Sequence, residues 1–290
     1  MNIEPLRNKA EQYIRLWNLE PDGGPFNSNW ALLWPVTRGS EKFMLKIQSE
    51  TGREAQGVRA LQLFDGYGAV RIFENENDVQ LLERIVIPDN KPTLMQMIVD
   101  GDDDIATNIL CGTAIQLHEY AKTINRTEYA SFEKGNGGGP AESDIYKGGI
   151  ASEDTPMFER GLELAESIKQ ADGSKRILIH GDLWCGNILY SDNRGWLAID
   201  PQPKIALPAQ EYAMWLGYVA DGIPSEIIVN KNRIERQNKI ISERTGIAQK
   251  DILQFAWLKA LGLGAWASPG PWKEQQIELA KIIDDLLHKE

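Results

Sequence analysis

Ile177-Leu-Ile-His-Gly-Asp-Leu-Trp-Cys-Gly-Asn-Ile-Leu-Tyr190, followed by Trp196-Leu-Ala-Ile-Asp200, is the stretch on which the fold turns. Two short apolar runs, Ile188–Tyr190 and Trp196–Ile199, flank Ser191-Asp-Asn-Arg-Gly195. Apolar runs around such a turn cluster predict a β-hairpin. The hairpin folds the chain back, so Asn187 before it and Asp200 after it come close together. An amide oxygen and a carboxylate are hard oxygen ligands of the kind Mg²⁺ takes. Asp182 then stands beside the metal pair, where it can accept the proton of an attacking hydroxyl. A lone Asp beside a strand is commonly a turn or cap residue. His180, Asp182, Asn187 and Asp200 in register around one hairpin are a different matter.

The spacing His180-Gly-Asp182, four residues, then Asn187, resembles a kinase catalytic loop, with Asp200 at the place of its metal-binding carboxylate. The N-terminal third supplies a matching half-site. Lys46 interrupts the apolar strand Phe43–Ile47. Alone it reads as a strand lysine snorkelling to water; with Glu54 on the following helix it reads as a clamp for nucleotide phosphates. Within the turn-rich segment Pro21–Asn29, the turn Gly23–Asn29, with Asn27 and Ser28, occupies the place of a phosphate-covering loop. Glu83-Arg-Ile85 ends the last strand of this half, where adenine would meet hinge backbone groups.

The chain has 290 residues, 42% hydrophobic and 25% charged, enough for one two-lobed domain with a sizeable core. Its net charge of −11 argues against nucleic acid or an anionic membrane as partner. It is compatible with a cationic substrate. Two cysteines, Cys111 and Cys185, have neither a disulfide framework nor zinc-site neighbours. No signal peptide or membrane span is expected, so a cytoplasmic protein, monomeric or weakly homodimeric, is the expectation.

Helical spacing over 8–18 precedes predicted strands at 30–36 and 43–47, a helix at 54–64, and strands at 69–73 and 79–83. That is a small antiparallel sheet with one inserted helix. Beyond Pro88 the pattern is helical: about 105–123, then 211–219, 233–245, 250–262 and 273–287. Asp102-Asp-Asp104 suits the positive end of the first of these, and also the substrate side. Lys134–Pro140 reads as a surface loop, without the lysine and hydroxyl that a Walker phosphate loop requires.

Leu81-Leu-Glu-Arg84, the His180–Leu189 motif, Trp196–Pro203 and Pro208-Ala-x-Glu211 together resemble the aminoglycoside/hydroxyurea phosphotransferase family, of which streptomycin 6-kinases are members. The resemblance extends through Phe64–Arg71, Leu117-His118 and the C-terminal tryptophan-bearing helices. It implies an α+β, bilobal protein-kinase-like fold, with a nucleotide lobe over 1–84 and a catalytic lobe over 85–290. It implies ATP and Mg as cofactors and a small-molecule hydroxyl as acceptor, an aminoglycoside such as streptomycin first. Carried over, Asp182 is the base, Asn187 and Asp200 the metal ligands, and Lys46 with Glu54 the clamp. Asp102, Asp103, Glu211 and Trp184 are the candidate substrate contacts, Glu211 equally a structural partner of the catalytic loop. Trp184-Cys185 departs from many relatives, which leaves the acceptor open between an aminoglycoside and a metabolite such as a sugar, choline-like molecule or amino-alcohol. A nucleotide-binding pseudokinase is the rival outside catalysis.

Overall fold

A computed structural model describes residues 3–28, 30–49, 55–132, 134, 150–170 and 173–288. The expected loop at 134–140 lies outside these apart from Lys134. Strands β1 (Glu20–Pro21), β2 (Phe26–Asn27), β3 (Ala31–Arg38), β4 (Glu41–Gln48), β5 (Ile72–Glu76) and β6 (Val79–Glu83) form one antiparallel sheet. Its order is β1-β3-β4-β6-β5, with β2 also on β3. Alternation along β3 and β4 puts Leu32, Trp34, Val36, Phe43, Leu45 and Ile47 into a core closed by helix α1 (Ile3–Leu16) through Ala10, Tyr13 and Ile14. Helix α2 (Ala55–Phe64) follows β4 and turns Ala60, Leu61 and Phe64 toward the larger core.

The expected strand at 69–73 divides in two. Ala69 forms a parallel bridge to Ala198, while β5 starts only at Ile72 and carries a register shift between Ile72 and Glu74. Gly66 and Gly68 just upstream hold left-handed φ of 82° and 71°, which turns the chain off one ladder and onto the other.

The second half is mostly helical: α3 (Leu94–Asp100), α4 (Asp103–Ala121), α5 (Thr155–Gln170), α6 (Ala213–Gly217), α7 (Ser225–Ile228), α8 (Lys231–Thr245), α9 (Gln249–Trp266) and α10 (Pro271–Leu287). The helix expected over 211–219 opens as a 3₁₀ turn at Pro208–Tyr212, since the proline sits in its first position. Strands β7 (Ile177–Ile179) and β10 (Lys204–Ala206) pair with each other, and β8 (Ile188–Ser191) with β9 (Gly195–Ala198) is the expected hairpin. The larger core takes Leu82, Leu117, Leu178, Ile188 and Leu216 together, so it spans residues from both sides of position 84. Among the described residues no helix is long and apolar enough to cross a membrane.

Candidate active site

The segment between β7 and β8 is where the chain gathers its polar groups. Gly181 has φ of 79°, and a Cβ there would collide with the carbonyl oxygen of Gln202. Only glycine lets the loop turn this closely against the strand that returns beside it. The backbone N–H groups of His180 and Gly181 donate to the two oxygens of Glu211, each at 2.8 Å. His118 Nε2 stands 3.1 Å from Glu211 Oε2. Glu211 is fully buried; burial alone would raise its pKa, but His118, His180 and the Gly181 N–H outweigh it and hold the carboxylate below its ordinary range.

Asp182, which the loop presents, is gripped by Asn187: Nδ2 donates to the Asp182 carbonyl at 2.9 Å and to its carboxylate Oδ2 at 3.0 Å. Gln202 Nε2 approaches the same oxygen at 3.4 Å. Burial pushes the Asp182 carboxyl up, with Asp200 adding to the rise and His180, Lys259 and Asn187 opposing it. A carboxylate so raised is a better proton acceptor.

The hairpin brings Asp200 to this group. Ile199 N–H donates to the Asn187 carbonyl at 2.9 Å, which places the residue before Asp200 against Asn187. Asp200 has φ of 54°, a left-handed conformation that a non-glycine residue adopts at a cost and that clusters at functional sites. Lys46, buried in β4, crosses the cleft to Asp200 Oδ1 at 2.8 Å. Glu54 lies outside the described residues.

Mg²⁺ is commonly held by one or two protein oxygens plus substrate phosphates rather than by an all-protein cage. Among the described residues no group of three or more His, Cys, Asp or Glu is placed to hold a metal ion by itself, and the donor set here is of that sparse kind. Asn187 commits its amide nitrogen to Asp182, which turns Oδ1 away from it. Asp200 is half-exposed. The two oxygens fit the ion.

Other expected contacts fall elsewhere. Asp103 is not a substrate contact. It is buried, forked by Arg233 (Nε–Oδ2 2.8 Å, Nη2–Oδ1 3.0 Å), and takes Gln237 Nε2 at 2.7 Å. Glu211 is likewise corrected to the structural alternative, since its oxygens are spent on the loop and no solvent reaches them. Asp102 stays exposed before α4, where its side chain makes no capping bond. Ser28 engages its N–H and hydroxyl in the turn to Ala31 and stays exposed; Asn27 is exposed in β2, opposite Leu32. Glu83 uses its carboxylate on Arg71 N–H at 3.0 Å and on Arg194 of the hairpin turn, a link between strand end and hairpin. Ile85 packs half-buried on the larger core, and its backbone makes no hydrogen bond among the described residues.

Trp184 lies partly buried, its ring edge-to-face with Tyr218 at 5.5 Å, and Tyr218 in turn meets Trp272 at 6.4 Å. Sequence reasoning missed this aromatic wall because its members come from three distant segments. It also missed Lys259, whose charge acts on Asp182 from α9. The available signal was a lysine inside the apolar run Phe255–Leu263.

Residues 16–270 match the aminoglycoside/hydroxyurea antibiotic resistance kinase family. The chain is 28% identical over 252 residues to a streptomycin 3''-kinase of Klebsiella pneumoniae, covering 83% of this chain and 86% of that one. It is 27% identical over 213 residues to a hydroxyurea phosphotransferase of Kitasatospora aureofaciens, covering 72% and 60%. A microcompartment-associated aminopropanol kinase shares the fold, with a TM-score of 0.62 at 13% identity over 96% of both chains. A kinase-like cleft, a family match over most of the chain and neighbours of one bilobal architecture agree: this chain belongs to the aminoglycoside/hydroxyurea antibiotic resistance kinases, a family of small-molecule phosphotransferases.

Proposed function

We propose that this protein transfers the γ-phosphoryl group of ATP, with Mg²⁺, to a hydroxyl of a small polar molecule. The observation that carries the reading is the convergence of two bonded pairs, Asp182 with Asn187 and Lys46 with Asp200, joined by the backbone bond from Ile199, beside Asp200, to Asn187. Asp182 holds and deprotonates the acceptor hydroxyl, with Asn187 fixing its carboxylate. Lys46 offers a buried ammonium to the phosphates, and the free backbone groups of Ile85 suit an adenine edge. Bound Mg²⁺ would neutralise phosphate charge from Asn187 Oδ1 and Asp200. The cleft needs little more, since phosphoryl transfer is mainly positioning and charge neutralisation.

Streptomycin is the acceptor that the relatives nominate. A second reading, a metabolite kinase, is favoured by one observation: two of the three carboxylates expected to receive a cation, Asp103 and Glu211, are occupied within the fold. The test is incubation with Mg-ATP and a mixed panel of aminoglycosides and metabolite alcohols. A product heavier by one phosphoryl group is expected, ~80 Da, made by a positioned transfer to hydroxyl. Binding of nucleotide without any product or hydrolysis would refute the reading in favour of a pseudokinase.

A further inference from the structure

Residues 84–92 join β6 to α3 without strand or helix. Lys91 N–H donates to the Pro88 carbonyl at 2.9 Å, while among the described residues the backbone groups of Ile85, Val86 and Ile87 take no hydrogen bond. A segment so poor in backbone bonds opens easily unless side chains fasten it.

It is fastened at both ends. At the start, Arg84 Nη1 donates to Asp22 Oδ2 at 2.7 Å, and Glu83 just before it holds Arg194 of the hairpin turn. At the far end, half-buried Lys91 sets its ammonium over the Tyr190 ring at 4.4 Å from the centroid and over the Trp196 ring at 5.7 Å. Tyr190 and Trp196 are cross-strand partners in the β8–β9 hairpin, with ring centroids 5.3 Å apart, so they stand on one face of it. An ammonium over two ring faces is drawn to the negative side of each quadrupole. A methionine would lay a similar stem on the rings without that attraction.

The hairpin that receives both fastenings begins directly after Asn187 and ends two residues before Asp200. Ile85, with its free backbone groups, lies between the fastenings. A base seated at Ile85 and phosphates held near Asn187 and Asp200 are therefore spaced from one common element.

We propose that Lys91 is a positioning residue for the donor nucleotide: through Tyr190 and Trp196 it fixes the backbone seat of the purine base at Ile85 relative to the oxygens of Asn187 and Asp200. The proposal rests on the phosphotransfer reading and deepens it. Its consequence falls on a ligand whose base and phosphates bind together, and not on one made of phosphates alone.

The test uses the full chain and two probes with Mg²⁺: ATP by titration calorimetry, and tripolyphosphate, which lacks the base, as a competitor of ATP. Lys91→Met is expected to weaken ATP about two- to fivefold, the size of one such cation–π contact, with the tripolyphosphate constant unchanged. Lys91→Arg should restore ATP affinity, since a guanidinium also binds ring faces. Tyr190→Leu should weaken ATP in the same way, and Lys91→Met with Tyr190→Leu should lose less than the product of the two single losses, because they share one contact. Unchanged ATP affinity in Lys91→Met overturns the assignment, and a lower Tm beside it makes the contact a structural brace only. Equal losses for ATP and tripolyphosphate, no rescue by Lys91→Arg, or losses that multiply in the double variant overturn it as well. A wild type that does not bind ATP would instead refute the phosphotransfer reading itself.

Discussion

Replacing Glu211 by Gln tests how the catalytic loop is held. One Glu211 oxygen accepts the Gly181 N–H; the other accepts the His180 N–H and meets His118. Glutamine keeps one oxygen, so its NH₂ must oppose a buried N–H. The change loses one charge-assisted bond and strands one donor, about 2–4 kcal/mol in all. In a domain of this size that is a drop of ~4–16 °C in Tm. Because these bonds set the position of Asp182, turnover should fall by about tenfold or more with nucleotide affinity little changed. The pH dependence has a definite sign. The folded-state pKa of Glu211 is depressed, so its stabilisation is present above the unfolded carboxylate range and is lost as pH falls through the folded value. The stability gap between wild type and Glu211→Gln should therefore be widest near neutrality and close below about pH 4. Calorimetry across pH, beside a turnover assay, measures both. Superposable melting curves with unchanged turnover would show that the carboxylate does not hold the loop.

Three further outcomes are expected. Asp182→Asn should lower turnover by roughly 10²–10⁴-fold with nucleotide Kd retained; a variant keeping more than about a tenth of wild-type turnover would remove Asp182 from the base role. Lys46→Met should weaken nucleotide binding in a titration calorimeter while Tm holds, because methionine fills the buried stem without the charge. Unchanged affinity would return Lys46 to a purely structural place. Gly181→Ala, at a left-handed φ and against the Gln202 carbonyl, should depress turnover more than tenfold and cost of order 1–3 kcal/mol of stability, visible as a lower Tm; wild-type values for both would contradict the tight turn.

The hairpin and its polar neighbours were legible because the information is local. A turn cluster between two apolar runs fixes the register, and register brings Asn187 beside the start of Asp200. The sheet with α2 after the Lys46 strand was legible for the same reason. The fate of the acids was not. Asp103 reads alike as helix-start charge or ligand, and only the fold brings Arg233 and Gln237 from another helix to it. Those two stand one helical turn apart, so a polar receptor face on Lys231–Thr245 was present in the sequence without naming its guest. Glu211 and His118 are 93 residues apart and their pairing has no local signal. The strand at 69–73 was misdivided because the pattern gives β character but not which ladder receives it.

Arg194, at the tip of the hairpin, bonds to the Glu83 carboxylate and to the carbonyls of Gly66 and Ala69. Ala198 exchanges backbone bonds with Gly68 and Val70. The strand end of the sheet, the link after α2 and the hairpin are thus pinned as one mechanical piece, with Asp200 two residues past the pin. Asp200 consequently travels with the sheet that carries Lys46, and their spacing is kept whenever the halves shift.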